Sequence, residues 1–101
     1  MKKIINGKKY DTETAGLICR HDNGRIGSDF YYYKECLYKK KTGEFFIYEE
    51  GGAASCVAEM HNGFSCGGSR INPISESEAM CFVEKYGTAE TYESLFGEVE
   101  E

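Results

Sequence analysis

Apolar and polar residues alternate in short stretches up to residue 74, and from residue 79 the apolar residues recur every three to four positions. A period of two is typical of β-strands, whereas a period near 3.6 is typical of α-helices. The pattern predicts an α+β fold in which a small antiparallel sheet, built around a hairpin at residues 30–49, precedes two C-terminal helices. We expect a single domain of residues 1–101, with 1–74 mainly strands and loops.

The N-terminal stretch carries a hairpin signal. Asn6-Gly7 lies between two short alternating stretches, and this dipeptide favours a tight turn between antiparallel strands. Asp11 is a candidate N-cap for a single helical turn that Gly16 would end. Residues 17–21 then read as a strand.

The clearest strand signal is the aromatic-rich hairpin. Residues 30–41 and 44–48 are rich in Tyr and Phe, and Thr42-Gly43 reads as a two-residue connection between them. A connection of that length predicts these cross-strand pairs: Lys40 with Phe45, Tyr38 with Ile47, and Leu37 with Tyr48.

That register assigns the side chains of the hairpin to two faces. One face would carry Tyr31, Tyr33, Leu37, Phe46 and Tyr48. The other would carry Phe30, Tyr32, Cys36, Tyr38, Phe45 and Ile47. Since both faces are apolar, the hairpin is either central and covered on both sides or leaves aromatic side chains exposed.

The segment after the hairpin has no clear periodicity. Residues 53–69 are rich in Gly, Ser and Asn, which predicts a loop with at most one short strand or turn near residues 55–60. Residues 70–74 read as an edge strand, because Pro73 cannot donate a hydrogen bond within a β-ladder.

Two helices are predicted at residues 75–97. Ser75 and Glu78 form an S-x-x-E capping box, and the apolar residues after it fall on one helical face: Ala79, Phe82, Val83 and Tyr86. Gly87 would end this helix. A second short helix starts at residue 88 or 89 and ends at Gly97, which leaves residues 98–101 as an acidic tail.

The net charge of −5 is unevenly distributed. Residues 1–41 hold ten Lys and Arg against five Asp and Glu, whereas residues 42–101 hold two against twelve. Such asymmetry bears on partners and association rates rather than on the fold.

No apolar run is long enough to span a membrane, and the N-terminus lacks the apolar stretch of a signal peptide. We therefore expect a cytoplasmic protein without a membrane partner.

The cysteines are interpreted as free thiols. Five are present at irregular spacings, without a C-x-x-C pair: Cys19, Cys36, Cys56, Cys66 and Cys81. The sequence Cys56-x4-His61-x4-Cys66 offers three possible ligands but lacks the close cysteine pair typical of structural zinc.

Cys66 with His61 or His21 as base would be a nucleophile pair, but five cysteines and two histidines produce such pairs by chance. We expect no enzyme, no metal and no cofactor.

Nucleic-acid binding is the alternative function. The N-terminal half combines its tyrosines with eight lysines: Lys2, Lys3, Lys8, Lys9, Lys34, Lys39, Lys40 and Lys41. Lysines and aromatic rings on a sheet can contact phosphates and stack on bases. The acidic net charge opposes this reading, and lysines at hairpin edges also prevent unwanted strand pairing.

Glutamates dominate the predicted helices. Glu76, Glu78 and Glu90 suit the N-terminal turns of helices, but Glu84, Glu93 and the tail need another explanation. They form either a solvated helix face or an anionic surface directed at a basic groove of another protein. The expected partner-binding residues are Glu84, Glu90, Glu93 and Glu98, with Tyr31 and Tyr33 as aromatic anchors.

Five segments together carry a family resemblance: residues 3–15, Ser28-Asp29-Phe30 with its tyrosines, Gly51-Gly52, Cys66-Gly67-Gly68 and residues 73–79. They resemble small proteins carried on phages, plasmids and integrative elements of Gram-positive bacteria, some of which are similar to anti-CRISPR inhibitors of type II effector nucleases. The resemblance implies a stoichiometric inhibitor, without a cofactor, that binds a host CRISPR effector nuclease or its guide complex in the bacterial cytoplasm.

Overall fold

The computed structural model describes residues 1–24, 31–52, 58–61 and 64–98. Within them the elements in chain order are β1 (Lys2–Ile5), β2 (Lys8–Asp11), β3 (Gly16–Asp22), β4 (Tyr33–Lys39), β5 (Phe45–Gly51), β6 (Glu59–His61), β7 (Phe64–Cys66), β8 (Gly68–Ile74), α1 (Glu76–Tyr86) and α2 (Ala89–Phe96). The predicted α+β order, strands first and then two helices, is confirmed. Predictions that concern Phe30, Cys56 and residues 99–101 lie outside the described residues.

A four-stranded antiparallel sheet of order β3-β4-β5-β8 forms the middle layer. On one face, Leu37, Phe45 and Ile47 pack against the buried residues of α1, which are Ala79, Phe82 and Val83. On the other face, Phe46 and Ile71 pack against Tyr10 of the β1–β2 hairpin. Of the two predicted possibilities for the aromatic hairpin, the central and covered one is therefore correct.

The predicted register of the β4–β5 hairpin is wrong by one residue. Lys39 pairs with Phe45 and Leu37 with Ile47. The connection has three residues, since the Lys40 amide donates to the Glu44 carbonyl at 2.8 Å and the Gly43 amide donates to the Lys40 carbonyl at 2.9 Å. Gly43 has φ +96°, the positive value that the last position of a three-residue hairpin loop requires.

The changed register also corrects the two predicted faces. Because a one-residue shift moves a whole strand to the opposite face, Leu37 shares its face with Phe45 and Ile47. Tyr38 lies instead with Phe46 and Tyr48 beside the N-terminal hairpin. The predicted groups that joined Leu37 to Phe46 are therefore wrong.

The shorter elements divide into confirmed and corrected predictions. The Asn6-Gly7 hairpin is confirmed, with both turn residues at positive φ. Asp11 accepts the Glu13 amide in a turn, but Gly16 begins β3 instead of ending that turn. The loop predicted at 53–69 is wrong where β6 pairs with β7. A strand of three residues is too short to show an alternating pattern of apolar and polar positions.

Both helices lie where they were predicted, and the edge strand predicted at 70–74 is present as β8 but begins two residues earlier, at Gly68. β8 pairs only with β5 within the described sheet, and Pro73 lies opposite Phe46. Ser75 and Glu78 form the predicted reciprocal capping box at the start of α1. α1 and α2 end at Gly87 and Gly97 as predicted.

Removing the capping hydroxyl should cost measurable stability. The Ser75 hydroxyl accepts the Glu78 amide at 3.2 Å, so Ser75→Ala leaves a helix N-terminal donor without that partner. We expect a loss of about 1 kcal/mol in the free energy of unfolding, measured as a lower urea midpoint. Ser77→Ala, which changes an exposed helical position two residues away, should shift stability by less than about 0.5 kcal/mol. Equal effects of the two substitutions would contradict the capping role.

Candidate protein-binding groove

The two helices form an acidic layer over one face of the sheet. Residues 75–98 contain six glutamates, all exposed, and a single cation, Lys85. Within the described part of the chain, no ion pair joins a lysine or arginine to these six: Glu76, Glu78, Glu84, Glu90, Glu93 and Glu98. Apart from Glu78, whose carboxylate completes the capping box with Ser75, these glutamates direct their charges at solvent.

A groove separates α1 from α2 at their junction. It has a volume of about 310 Å³ and is lined by Val83, Glu84, Gly87, Thr88, Ala89, Tyr92 and Glu93. Apolar side chains form much of the lining, while Glu84 and Glu93 are exposed carboxylates. We call these seven residues the interhelical groove.

The corner between the helices explains the shape of the groove. A Cβ on Gly87 would come within 2.9 Å of both the Val83 side chain and its carbonyl oxygen, so a larger residue would clash with the last turn of α1. The Gly87 amide donates to the Val83 carbonyl at 2.8 Å, which ends α1. Thr88 then caps α2 by accepting the Thr91 amide at 3.1 Å. One residue therefore closes the first helix and the next starts the second.

The structure brings two of the predicted partner-binding residues together. Glu84 from α1 and Glu93 from α2 line the same interhelical groove. Glu90 lies on a second groove, of about 340 Å³, between β3 and α2. Glu98 is exposed just after α2.

The two predicted tyrosine anchors differ in their availability. Tyr31 is 61% exposed. Tyr33 is half-buried, and its hydroxyl donates to the Glu49 carboxylate at 3.0 Å. Tyr31 is therefore the more exposed of the two residues.

A row of charged residues crosses the sheet beneath α1, and the sequence did not predict it. The strand registers pair His21 with Glu35, Glu35 with Glu49, and Glu49 with Arg70. We call these four residues the charged row. Only the corrected hairpin register places Glu35 opposite Glu49, so alternation within each strand could not have revealed the row.

Arg70 balances the charge of Glu49, the buried residue of the charged row. Glu49 is only 5% exposed, and it accepts hydrogen bonds from Arg70 Nη2 at 2.7 Å and Nε at 3.1 Å. Burial, followed by the nearby Glu49 carboxylate, raises the pKa of Glu35. The His21 ring stacks on Tyr86 of α1, with ring centroids 4.0 Å apart. The row thus ties the C-terminal end of α1, which borders the interhelical groove, to the sheet.

The structure describes three thiols. Cys19, Cys36 and Cys81 are free, and burial raises the pKa of both the Cys19 and Cys36 thiols, which disfavours the nucleophilic thiolate. Among the described residues, no group of three or more His, Cys, Asp or Glu is arranged to hold a metal ion. The side chains of His61 and Cys66 are outside that description.

The described helices and the comparisons add two findings. No helix among the described residues is long and apolar enough to cross a membrane. Protein-family models, curated proteins and solved structures all lack a match to this chain.

Proposed function

We propose that this chain is a stoichiometric inhibitor, encoded by a mobile element, that binds a host defence nuclease in the bacterial cytoplasm. The nominated target is a CRISPR effector or its guide complex. The resemblance to small phage and plasmid proteins supports the choice of target. The observation that carries the binding mode is the interhelical groove, which lies in a layer of six exposed glutamates with one lysine.

The groove suits a lysine or arginine side chain of the partner. Ala89 and Tyr92 provide apolar surface for the methylene stem of such a residue, because long cationic side chains bury their stems and keep the charged end polar. Glu84 and Glu93 would pair with that charged end through charge-assisted hydrogen bonds.

Inhibition follows from competition for the same basic surface. A nuclease channel that holds nucleic acid carries many lysines and arginines, and a surface of opposite charge accelerates its encounter with such a channel. The acidic layer would then occupy positions that the nucleic-acid backbone needs. Tyr31, which is exposed, serves in this proposal as an additional aromatic anchor.

Neutralising the groove carboxylates should weaken the complex. For Glu84→Gln/Glu93→Gln we expect the Kd for the effector to rise at least about tenfold, equivalent to about 1.4 kcal/mol, with a matching loss of inhibition in a target-cleavage assay. The control Glu13→Gln/Glu76→Gln makes the same change in net charge at exposed positions outside the groove, and it should change the Kd by less than about threefold.

Two outcomes would contradict the proposal. If the unmodified chain forms no complex with the effector on gel filtration and leaves cleavage unchanged, the inhibitor function is wrong. If the groove and control variants weaken binding equally, net charge acts without the groove, and the proposed mode of docking is wrong.

The alternative function, a nucleic-acid-binding regulator using the lysine- and tyrosine-rich sheet, has weaker support. The hydroxyls of Tyr32 and Tyr48 donate to Glu50, and the ring of Tyr38 stacks on Phe46. The tyrosines of the sheet are thus mostly engaged within the molecule and do not form an open platform for bases.

A further inference from the structure

A second cleft lies beside the N-terminal hairpin, where the β2 strand meets the β4–β5 connection. It has a volume of about 280 Å³ and is lined by Lys9, Asp11, Thr14, Ala15, Lys40, Lys41 and Thr42. We call these residues the lysine cleft. Three of the seven are lysines, in contrast with the interhelical groove, where the charged residues are glutamates.

The lysine cleft keeps an excess of positive charge. Glu44 is shared between Lys8 at 3.0 Å and Lys40 at 3.2 Å. Asp11, the carboxylate among the seven cleft residues, accepts the Glu13 amide at 2.9 Å and keeps its charge, so three lysines face one aspartate in the lining. Lys9 and Lys41 are both exposed, and no described carboxylate forms an ion pair with either. The cleft therefore keeps two ammonium groups available for a ligand.

The walls of the lysine cleft are held in place before any ligand arrives. Two backbone hydrogen bonds close the connection that carries Lys41 and Thr42. The Lys40 ammonium lies 4.3 Å from the centre of the Tyr10 ring, a cation–π contact that joins the two walls. The opposite wall is a turn in which the Ala15 amide donates to the Asp11 carbonyl at 3.0 Å. Prearranged walls of this kind reduce the ordering cost of binding.

We propose that the lysine cleft binds a phosphate group, from a nucleic-acid backbone or from a free phosphate or nucleotide. A phosphate presents several oxygens around one centre, so the ammonium groups of Lys9 and Lys41 can each donate to a different oxygen. The hydroxyls of Thr14 and Thr42 at the cleft wall can contribute to the same ligand. This site does not depend on the proposed inhibitor function.

The negative net charge of the protein does not prevent such binding. Charges in water are screened over about 8 Å at physiological ionic strength, and the molecule measures 20 Å along its shortest axis. The helices that carry the exposed glutamates pack on the face of the sheet opposite to Tyr10. Their repulsion on a phosphate at the lysine cleft is therefore strongly reduced.

The test compares a fluorescent single-stranded oligonucleotide of twelve bases with inorganic phosphate as ligands of the isolated chain. Binding is measured by fluorescence anisotropy for the first and by backbone amide NMR shifts for the second, at about 50 mM salt, where phosphate contacts are strong. The variant is Lys9→Gln/Lys41→Gln. The matched control is Lys3→Gln/Lys85→Gln, which removes the same charge from exposed residues outside the cleft.

We expect the oligonucleotide to bind and the cleft variant to reduce its affinity at least about tenfold. A plot of log affinity against log salt concentration has a negative slope, and its magnitude should decrease by about 0.7 for each phosphate contact that the variant loses with a single strand. Binding of phosphate alone, with shifts at Lys41 and Thr42, would identify a free phosphate or nucleotide as the ligand.

If neither the oligonucleotide nor inorganic phosphate binds, the proposal is wrong. It is also wrong if the cleft variant and the control variant lose the same amount of affinity. Glu84→Gln/Glu93→Gln should leave binding at the lysine cleft intact. The phosphate site and the inhibitor function can therefore fail separately.

Discussion

Replacing Phe46 with alanine will destabilise the domain by about 3–5 kcal/mol, the cost usual for removing a fully buried aromatic side chain. Phe46 is 0% exposed. Its ring stacks on Tyr38 at 5.3 Å and meets the edge of Tyr10 at 5.5 Å between centroids. The truncation therefore removes one of the main contacts between the N-terminal hairpin and the sheet, and the loss is a large share of a typical domain's stability.

Chemical denaturation followed by circular dichroism will measure this loss. Tyr31→Ala is the matched control, because it also removes an aromatic ring from the same region of sequence but from a side chain that is 61% exposed. It should change stability by less than about 1 kcal/mol. A Phe46→Ala chain with an unchanged unfolding midpoint would show that the hairpin does not pack on the sheet as described.

Breaking the charged row at Arg70 will have the second largest effect. Arg70→Met leaves the Glu49 carboxylate, which is 6% exposed at its side chain, without its guanidinium partner. Removing one partner of a buried pair costs about 3–5 kcal/mol, but the Arg70 side chain is 50% exposed, so solvent offsets part of the loss. We expect a decrease of about 2 kcal/mol in the free energy of unfolding.

A double substitution separates the pair from its surroundings. Arg70→Met/Glu49→Met removes both charges and also the unfavourable approach of Glu49 to Glu35, so it should recover at least half of the loss caused by Arg70→Met alone. If the double variant is less stable than the single one, then Glu49 stabilises the fold through groups other than Arg70. Unfolding midpoints of the two single variants and the double variant complete the cycle.

The helical half of the molecule could be read from local sequence. The capping box at Ser75, the apolar positions of α1 and the glycines at both helix ends act over four residues or fewer, and each is found where predicted. The same holds for the Asn6-Gly7 turn and for Pro73 at a sheet edge. Such features follow from backbone geometry and hydrogen bonding between near neighbours in the chain.

The sites depended on distances that local patterns do not contain. The exposure of Glu84 and Glu93 follows from helical periodicity, but their common groove depends on how α1 and α2 pack against each other across the Gly87–Thr88 corner. The charged row required the register of three strand pairs at once. The lysine cleft joins residues from β2 and from a connection about 30 positions later in the chain.

By itself, the sequence determined the two helices, most of the longer strands, the order of the two kinds of element, and the unequal charge of the two halves of the chain. Only the tertiary structure decided which aromatic face meets the helices, since the hairpin loop has three residues where two were predicted. It also decided that Glu49 and Glu50 pair with cations across the sheet and Glu44 with Lys8 of the N-terminal hairpin, while most of the helical glutamates face solvent. The physical reason is that register and charge pairing are properties of strands in contact, whereas periodicity and capping are properties of one segment alone.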